Sequence, residues 1–152
     1  MPSFSEITLK CLTRAGWYPG RQVKIDDYVA FLEHCGNPVH MCVRQFLTEY
    51  GRMKVKHPHS LDSKEQDFFR MDPIAANQFF YLDGDGLEDY NVMAGTKLCT
   101  IGLGFGDNLL LLMAENGQVF GAESTELYPI GLSGEEAIEK MCTGTAFPED
   151  LT

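Results

Sequence analysis

The period of the hydrophobic residues changes near residue 97, and this change limits the possible folds more than any other feature. Before it, apolar side chains recur at the spacing of one helix face. After it, they alternate from Cys99 to Phe105, and the run Leu109–Met113 is continuously apolar, as in a strand covered on both faces. Asn116–Gly117 is a strong hairpin signal that joins this run to the next strand. This order predicts an α+β fold, with N-terminal helices packed on a mostly antiparallel sheet and a C-terminal helix.

Capping signals predict where the first and third helices begin. Ser3 and Glu6 have the spacing of a capping box, so the first helix is expected to start there, with Ile7 on its buried face. Asn37 is the expected N-cap of the third helix, because Pro38 would then occupy the first helical position.

The remaining elements follow from the same signals of period, caps and turns. They are predicted as helices at 26–36, 72–82, 87–94 and 133–144 and as strands at 52–56, 68–71, 118–123 and 127–132. No internal repeat or linker interrupts the sequence. Residues 1–152 are therefore predicted to form a single domain.

The negative charge lies in the second half of the chain. The net charge is −10, and residues 77–152 carry 13 acidic and 2 basic side chains, whereas residues 1–76 carry 9 and 10. This balance argues against binding to nucleic acid and to anionic membranes, which require a basic surface. Two interpretations remain open: a solvated acidic face, or a docking surface for a basic partner. The acidic clusters are Asp83, Asp85, Glu88 and Asp89, then Glu123 and Glu126, then Glu135, Glu136 and Glu139.

Motifs for catalysis or for cofactors are incomplete. The run Asp83–Gly86 resembles part of a calcium loop, but no frame supplies the remaining ligands. The glycines of Gly102–Gly106 resemble a phosphate loop, but Asp107 stands where the last glycine is needed, and a strand follows. The histidines lack the spacing of zinc ligands, and nucleophile motifs are missing. The sequence therefore predicts a protein that is not an enzyme and has no metal or cofactor.

Targeting signals also are missing from the sequence. The first residues lack the basic and apolar regions of a signal peptide, and the longest apolar run, Leu109–Ala114, is too short to span a bilayer. The five cysteines include no C-x-x-C pair, which favours reduced, buried thiols. A cytoplasmic protein without membrane contact is expected.

A series of motifs resembles one known family. Ala15–Arg21 reads AGWYPGR after a short first helix, and it resembles the opening A-G-W-x-x-G-R of the third subgroup of SUKH immunity proteins, relatives of the Smi/Knr fold. Arg52 stands where a second glycine is common, and Thr100 stands where proline is common. The likeness otherwise continues in the same order over nearly the whole chain, at 46–51, 69–73, 98–102, 116–119 and 130–137.

The resemblance implies a single SUKH-like domain that acts as an antidote. Such a protein binds and neutralises a cognate toxin domain by protein–protein contact, and the toxin is often a nuclease or another nucleic-acid-modifying enzyme. An acidic face would suit a basic toxin, because it can mimic the polyanion that a nuclease expects. The alternative is a non-catalytic regulatory or scaffold module of the same fold that binds an endogenous cellular protein.

Two groups of residues are candidates for contact with the partner. Trp17 and Arg21 belong to the opening motif, and both residue types are enriched at binding hot spots. Equally, Trp17 could pack beneath the helix turn while Arg21 pairs with an acidic helix end such as Asp26. The second group is the acidic set Asp83, Asp85, Glu88, Asp89, Glu123 and Glu126.

Overall fold

The chain folds into a six-stranded sheet with helices against both faces. The computed structural model describes residues 3–60, 64–80 and 84–146, and only the backbone of residues 84 and 85. Across these residues the elements run in the order α1 (Glu6–Arg14), α2 (Asp26–His34), α3 (Met41–Tyr50), β1 (Lys54–Pro58), β2 (Gln66–Arg70), α4 (Pro73–Ala76), α5 (Gly84–Ala94), β3 (Leu98–Gly104), β4 (Leu109–Ala114), β5 (Val119–Glu123), β6 (Glu126–Gly131) and α6 (Gly134–Thr143).

The sheet is an antiparallel meander in the order β1 to β6, so each strand pairs with its neighbour in sequence. The predicted hairpin at Asn116–Gly117 joins β4 and β5. The predicted α+β class is confirmed. Residues 147–152 lie outside the described part, and the single domain over residues 1–152 stays a prediction.

Two apolar layers bury the central strands. Ile101 and Met113 point to one face, where α1, α2, α3 and α6 pack. Leu110 and Leu112 point to the other face, which α4 and α5 cover together with one side of α2. Every residue of β3 and β4 is therefore buried, which explains why β4 is apolar without alternation. Among the described residues, no helix is long and apolar enough to cross a membrane.

The predicted alternation of side chains along β3 is wrong beyond Thr100, because the strand contains a β-bulge there. Thr100 faces Leu112 and Gly102 faces Leu111, so Ile101 is the extra residue. Leu103 consequently turns to the face opposite Ile101, although the sequence pattern predicts that the two share a face. Gly102 permits this arrangement, because a Cβ there would lie 2.0 Å from the carbonyl oxygen of Arg70.

Two predicted helix starts are wrong. The N-cap of α1 is Ser5, whose hydroxyl accepts from the Thr8 amide, and Ile7 is 39% exposed while Thr8 is buried. Asn37 does not cap α3, which begins at Met41. The buried Asn37 amide oxygen instead accepts a 3.0 Å hydrogen bond from the Thr100 amide of β3. A polar contact with a distant strand therefore outweighs the local capping preference.

Two other predicted caps are confirmed. Asp72 accepts from the amides of residues 74 and 75, with Pro73 at the first position of α4. Ser133 accepts from the Glu136 amide at the start of α6, and Gly144 ends that helix with φ of +73°. The predicted extension of α4 to residue 82 falls partly outside the described residues, and the described helix ends at Ala76.

Candidate functional site

Trp17 is part of the hydrophobic core beside α3. Its side chain is 8% exposed, and its ring stacks on Tyr50 with 6.3 Å between centroids. The indole Nε1 donates to Oε2 of Glu49 at 3.0 Å. The structure thus buries Trp17 against the last turn of α3, and a role for Trp17 in contact with a partner stays a prediction.

Arg21 binds the carboxyl end of α3. Its Nη1 donates to the carbonyl oxygens of Glu49 at 2.6 Å and of Gly51 at 2.9 Å. A cation at this position interacts favourably with the helix dipole. The expected pair with Asp26 is not among the ion pairs of the described residues. Arg21 also lines an open groove of about 330 Å³ beside Arg44, so its role in partner contact stays a prediction.

Helix α5 presents one mixed acidic and apolar face. Leu87 is buried against the sheet, whereas Glu88 and Asp89 are exposed. Val92 and Met93 follow each of them by four residues, lie on the same side and are 71% and 51% exposed. Of the other predicted acidic residues, Asp83 and the side chain of Asp85 lie outside the described part of the chain.

The turn between β5 and β6 holds the other two predicted carboxylates. Glu123 and Glu126 are partners in the strand register, directly across from each other, and both are exposed. Ser124 and Thr125 connect them, and Ser124 adopts φ of +55°. Two like charges therefore stand at the end of a tight hairpin.

A hydrogen bond connects α5 to this turn. The Tyr90 hydroxyl donates to the carbonyl oxygen of Ser124 at 2.6 Å. Partial burial, with a smaller contribution from Asp89, raises the pKa of Tyr90, so the hydroxyl keeps the proton that it donates. A cavity of about 420 Å³ lies between the helix and the turn, lined by Gly86, Asp89, Tyr90, Val92, Met93, Ser124 and Thr125.

The structure thus brings Asp89 of α5 beside Ser124 and Thr125 of the turn. Ala122 and Leu127 face α5, so the next pair in the register, Glu123 and Glu126, points to the other face of the sheet, where Tyr128 lies. Sequence reasoning missed Val92, Met93 and Tyr90. The spacing of four residues between each acidic residue and each apolar residue was the available signal.

The exposed carboxylates of Glu88, Asp89, Glu123 and Glu126 make no ion pair among the described residues. The third acidic cluster, on α6, is different. Glu136 pairs with Lys140 at 3.1 Å, and Glu139 accepts from the amide of Ser5 at 2.8 Å. These two α6 carboxylates have partners within the fold, whereas Glu88, Asp89, Glu123 and Glu126 are exposed to solvent.

The buried thiols of Cys99 and Cys142 have low reactivity. Burial raises the pKa of Cys99 to about 12 and also raises the pKa of Cys142, so both thiols stay protonated. Within residues 3–60, 64–80 and 84–146, no group of three His, Cys, Asp or Glu side chains could hold a metal ion.

Comparison with known proteins identifies a family. A protein-family model described as SUKH-3 immunity protein matches residues 4–144. No curated protein and no solved structure shows a significant match to the chain. The matched range includes α5 and the β5–β6 turn as well as Trp17 and Arg21.

Proposed function

Because the chain belongs to the SUKH-3 immunity protein family, we propose that it is an immunity protein that binds and neutralises a cognate toxin domain. The family match over residues 4–144 is the observation that carries this proposal. Neutralisation is by protein–protein contact, in the cytoplasm, and requires neither a cofactor nor a metal.

The charge of the protein supports a basic toxin, such as a nuclease or another nucleic-acid-modifying enzyme. Enzymes of this kind present cationic surfaces to the phosphate backbone. The chain has a net charge of −10, and its acidic residues are concentrated after residue 76. Complementary charge accelerates association, which suits an antidote that must capture its target before damage occurs.

A non-catalytic role agrees with the environment of the acidic residues. General acid catalysis by a carboxyl group usually needs an apolar pocket that raises the pKa of the group. Glu88, Asp89, Glu123 and Glu126 are exposed instead. They are suited to electrostatic contact with a partner.

Co-expression with a candidate toxin domain, sought among the neighbouring genes, tests the proposed function. Cells that produce the toxin alone should die, cells that produce both should survive, and the two proteins should purify as one complex. A catalytically inactive toxin serves as the control for expression and for binding without toxicity.

Death of the co-expressing cells, with the chain folded and no complex formed, would show that the proposal is wrong. Co-purification with an endogenous cellular protein instead of the toxin would favour a regulatory or scaffold module. That alternative shares the fold and differs only in the partner.

A further inference from the structure

We propose that a cavity between α3 and α6 receives an Arg side chain of the toxin. This inference rests on the proposed function and specifies the place and the chemistry of binding. The cavity has a volume of about 340 Å³ and lies where α3, β4 and the first turn of α6 meet. We call it the acidic cleft and define it by six of the residues that line it: Gln45, Phe46 and Glu49 of α3, Met113 of β4, and Gly134 and Glu135 of α6.

Two carboxylates from different helices line the acidic cleft. Glu49 lies in the last turn of α3 and Glu135 in the first turn of α6, and both residues are half-buried. Neither makes an ion pair within the described part of the chain, and no Lys or Arg of that part lines the cleft. Carboxylates that are partly withdrawn from water without a counter-ion carry a desolvation cost. A cation from a partner would compensate both, so charge complementarity identifies the occupant as a cationic side chain.

The Tyr50 hydroxyl is a buried polar group close to the same two carboxylates. Tyr50 is 1% exposed and packs against Phe46, and its hydroxyl has no hydrogen-bond partner among the described residues. Burial raises the pKa of Tyr50, and the charges of Glu49 and Glu135 raise it further, so the hydroxyl keeps its proton. An unsatisfied buried donor is costly in the free protein. A small movement of either carboxylate towards an arriving cation would give this proton an acceptor.

The apolar part of the cleft favours Arg over Lys. Phe46 and Met113 line the cleft and are 5% and 2% exposed. The planar guanidinium of Arg stacks on aromatic rings and presents five donors in a fixed fork, whereas the Lys ammonium is a strongly hydrated point charge. Two carboxylates on separate helices, together with the amide oxygen of Gln45, require several donors at once. The lining of the cleft therefore fits an Arg side chain.

The acidic cleft is also preorganised. The indole Nε1 of Trp17 donates to Oε2 of Glu49 at 3.0 Å and fixes the position of that carboxylate. A Cβ at Gly134 would lie 2.3 Å from the Phe46 ring, so glycine is what lets the start of α6, with Glu135, lie against α3. A site that is already ordered loses less conformational entropy on binding than one that must be formed.

The first experiment uses a small probe in place of the toxin. N-acetyl-arginine amide should bind the purified chain, whereas N-acetyl-citrulline amide, which has the same shape and no charge, should bind about tenfold more weakly. Trp17 is the only tryptophan of the sequence and is bonded to Glu49, so its fluorescence reports binding at the acidic cleft. Equal dissociation constants for the two probes would overturn the proposal.

The second experiment removes the charges of the cleft. The double variant Glu49→Gln/Glu135→Gln should lose the preference for the arginine probe, and its dissociation constant for the toxin domain should rise about 30-fold. The glutamine at position 49 can still accept from Trp17. Asp26→Asn/Glu33→Gln removes two charges at exposed positions of α2 and is the matched control, which should change either affinity by no more than about twofold.

The outcomes separate the two proposals. If the wild-type chain protects cells and binds the toxin while Glu49→Gln/Glu135→Gln binds it equally well, the acidic cleft is wrong and the proposed function stands. If the wild-type chain neither protects nor binds, the proposed function fails, and the two small probes still test the cleft independently. If the double variant does not fold, Glu135→Gln alone decides: a lost preference for the arginine probe supports the cleft, and an unchanged preference overturns it.

Discussion

The indole Nε1 of Trp17 and the carboxylate of Glu49 are joined by a 3.0 Å hydrogen bond, and Arg21 donates to the backbone carbonyl of the same Glu49. Two residues of the opening motif therefore converge on the last turn of α3. They hold the segment between α1 and α2 against the core. Their contacts account for both side chains without a partner, which makes the choice between structural and binding roles testable.

Trp17→Phe should preserve the stacking on Tyr50 and lose the hydrogen bond to Glu49. We expect the free energy of unfolding to fall by about 1 kcal/mol, since this is the net value of a typical hydrogen bond. Urea denaturation measures the change, and Glu49→Gln is the control because an amide oxygen can still accept. A loss of toxin affinity without a loss of stability would assign Trp17 to the interface instead.

Gly102→Ala should destabilise the protein by about 3 kcal/mol, at the upper end for overpacking. Its Cβ would lie 2.0 Å from the Arg70 carbonyl oxygen, so β2 would have to separate from β3. Gly104→Ala is the control in the same strand, because its Cβ would meet Leu111 at an ordinary 3.4 Å. Thermal unfolding of both variants compares them, and equal stability would contradict the role given to the bulge.

Asn37→Leu should lower the free energy of unfolding by about 1–3 kcal/mol, because it leaves the buried amide of Thr100 without its acceptor. Thr100→Val should instead stabilise the protein. The Thr100 hydroxyl is buried and has no hydrogen-bond partner among the described residues, so its removal should raise stability by about 1 kcal/mol. Chemical denaturation distinguishes the two effects, and a destabilised Thr100→Val would reveal a partner for that hydroxyl.

Protonation of His57 should destabilise the fold below about pH 6.5. Burial against Phe69 lowers the pKa of His57, although the bond that its Nδ1 donates to the Pro58 carbonyl partly opposes the shift. The unfolded chain therefore binds a proton first as the pH falls. Stability that is complete above the unfolded pKa is lost as the pH approaches the lower folded value.

Denaturation at about pH 7.5 and at about pH 5.5 measures this effect. The loss of stability between the two should be smaller in His57→Gln than in the wild-type protein, and it should persist in His34→Gln, since His34 is exposed. An unchanged pH dependence in His57→Gln would show that other groups are responsible.

The acidic residues Glu88, Asp89, Glu123 and Glu126 could be identified from sequence, but their placement in the structure could not. The bond from Tyr90 to Ser124 brings α5 to the β5–β6 turn across more than thirty residues of sequence. The strand register then turns Glu123 and Glu126 away from α5, to the face where Tyr128 lies. The exposure of Val92 and Met93 could not be predicted from the sequence either. An apolar residue on a helix is normally assigned to the core until the packing of the other faces is known.

Local physical chemistry determined the class of the fold and most of its elements. Some features depend only on neighbours within a few residues, so the sequence contains all that is needed to predict them. They are the helical and strand periods, the caps at Asp72 and Ser133, and the Asn116–Gly117 turn. The tertiary structure alone decided the bulge at Ile101, the bond from Thr100 to Asn37 and the joining of α5 to the β5–β6 turn. Each of these depends on segments that are distant in sequence and meet only when the sheet and its helices have packed.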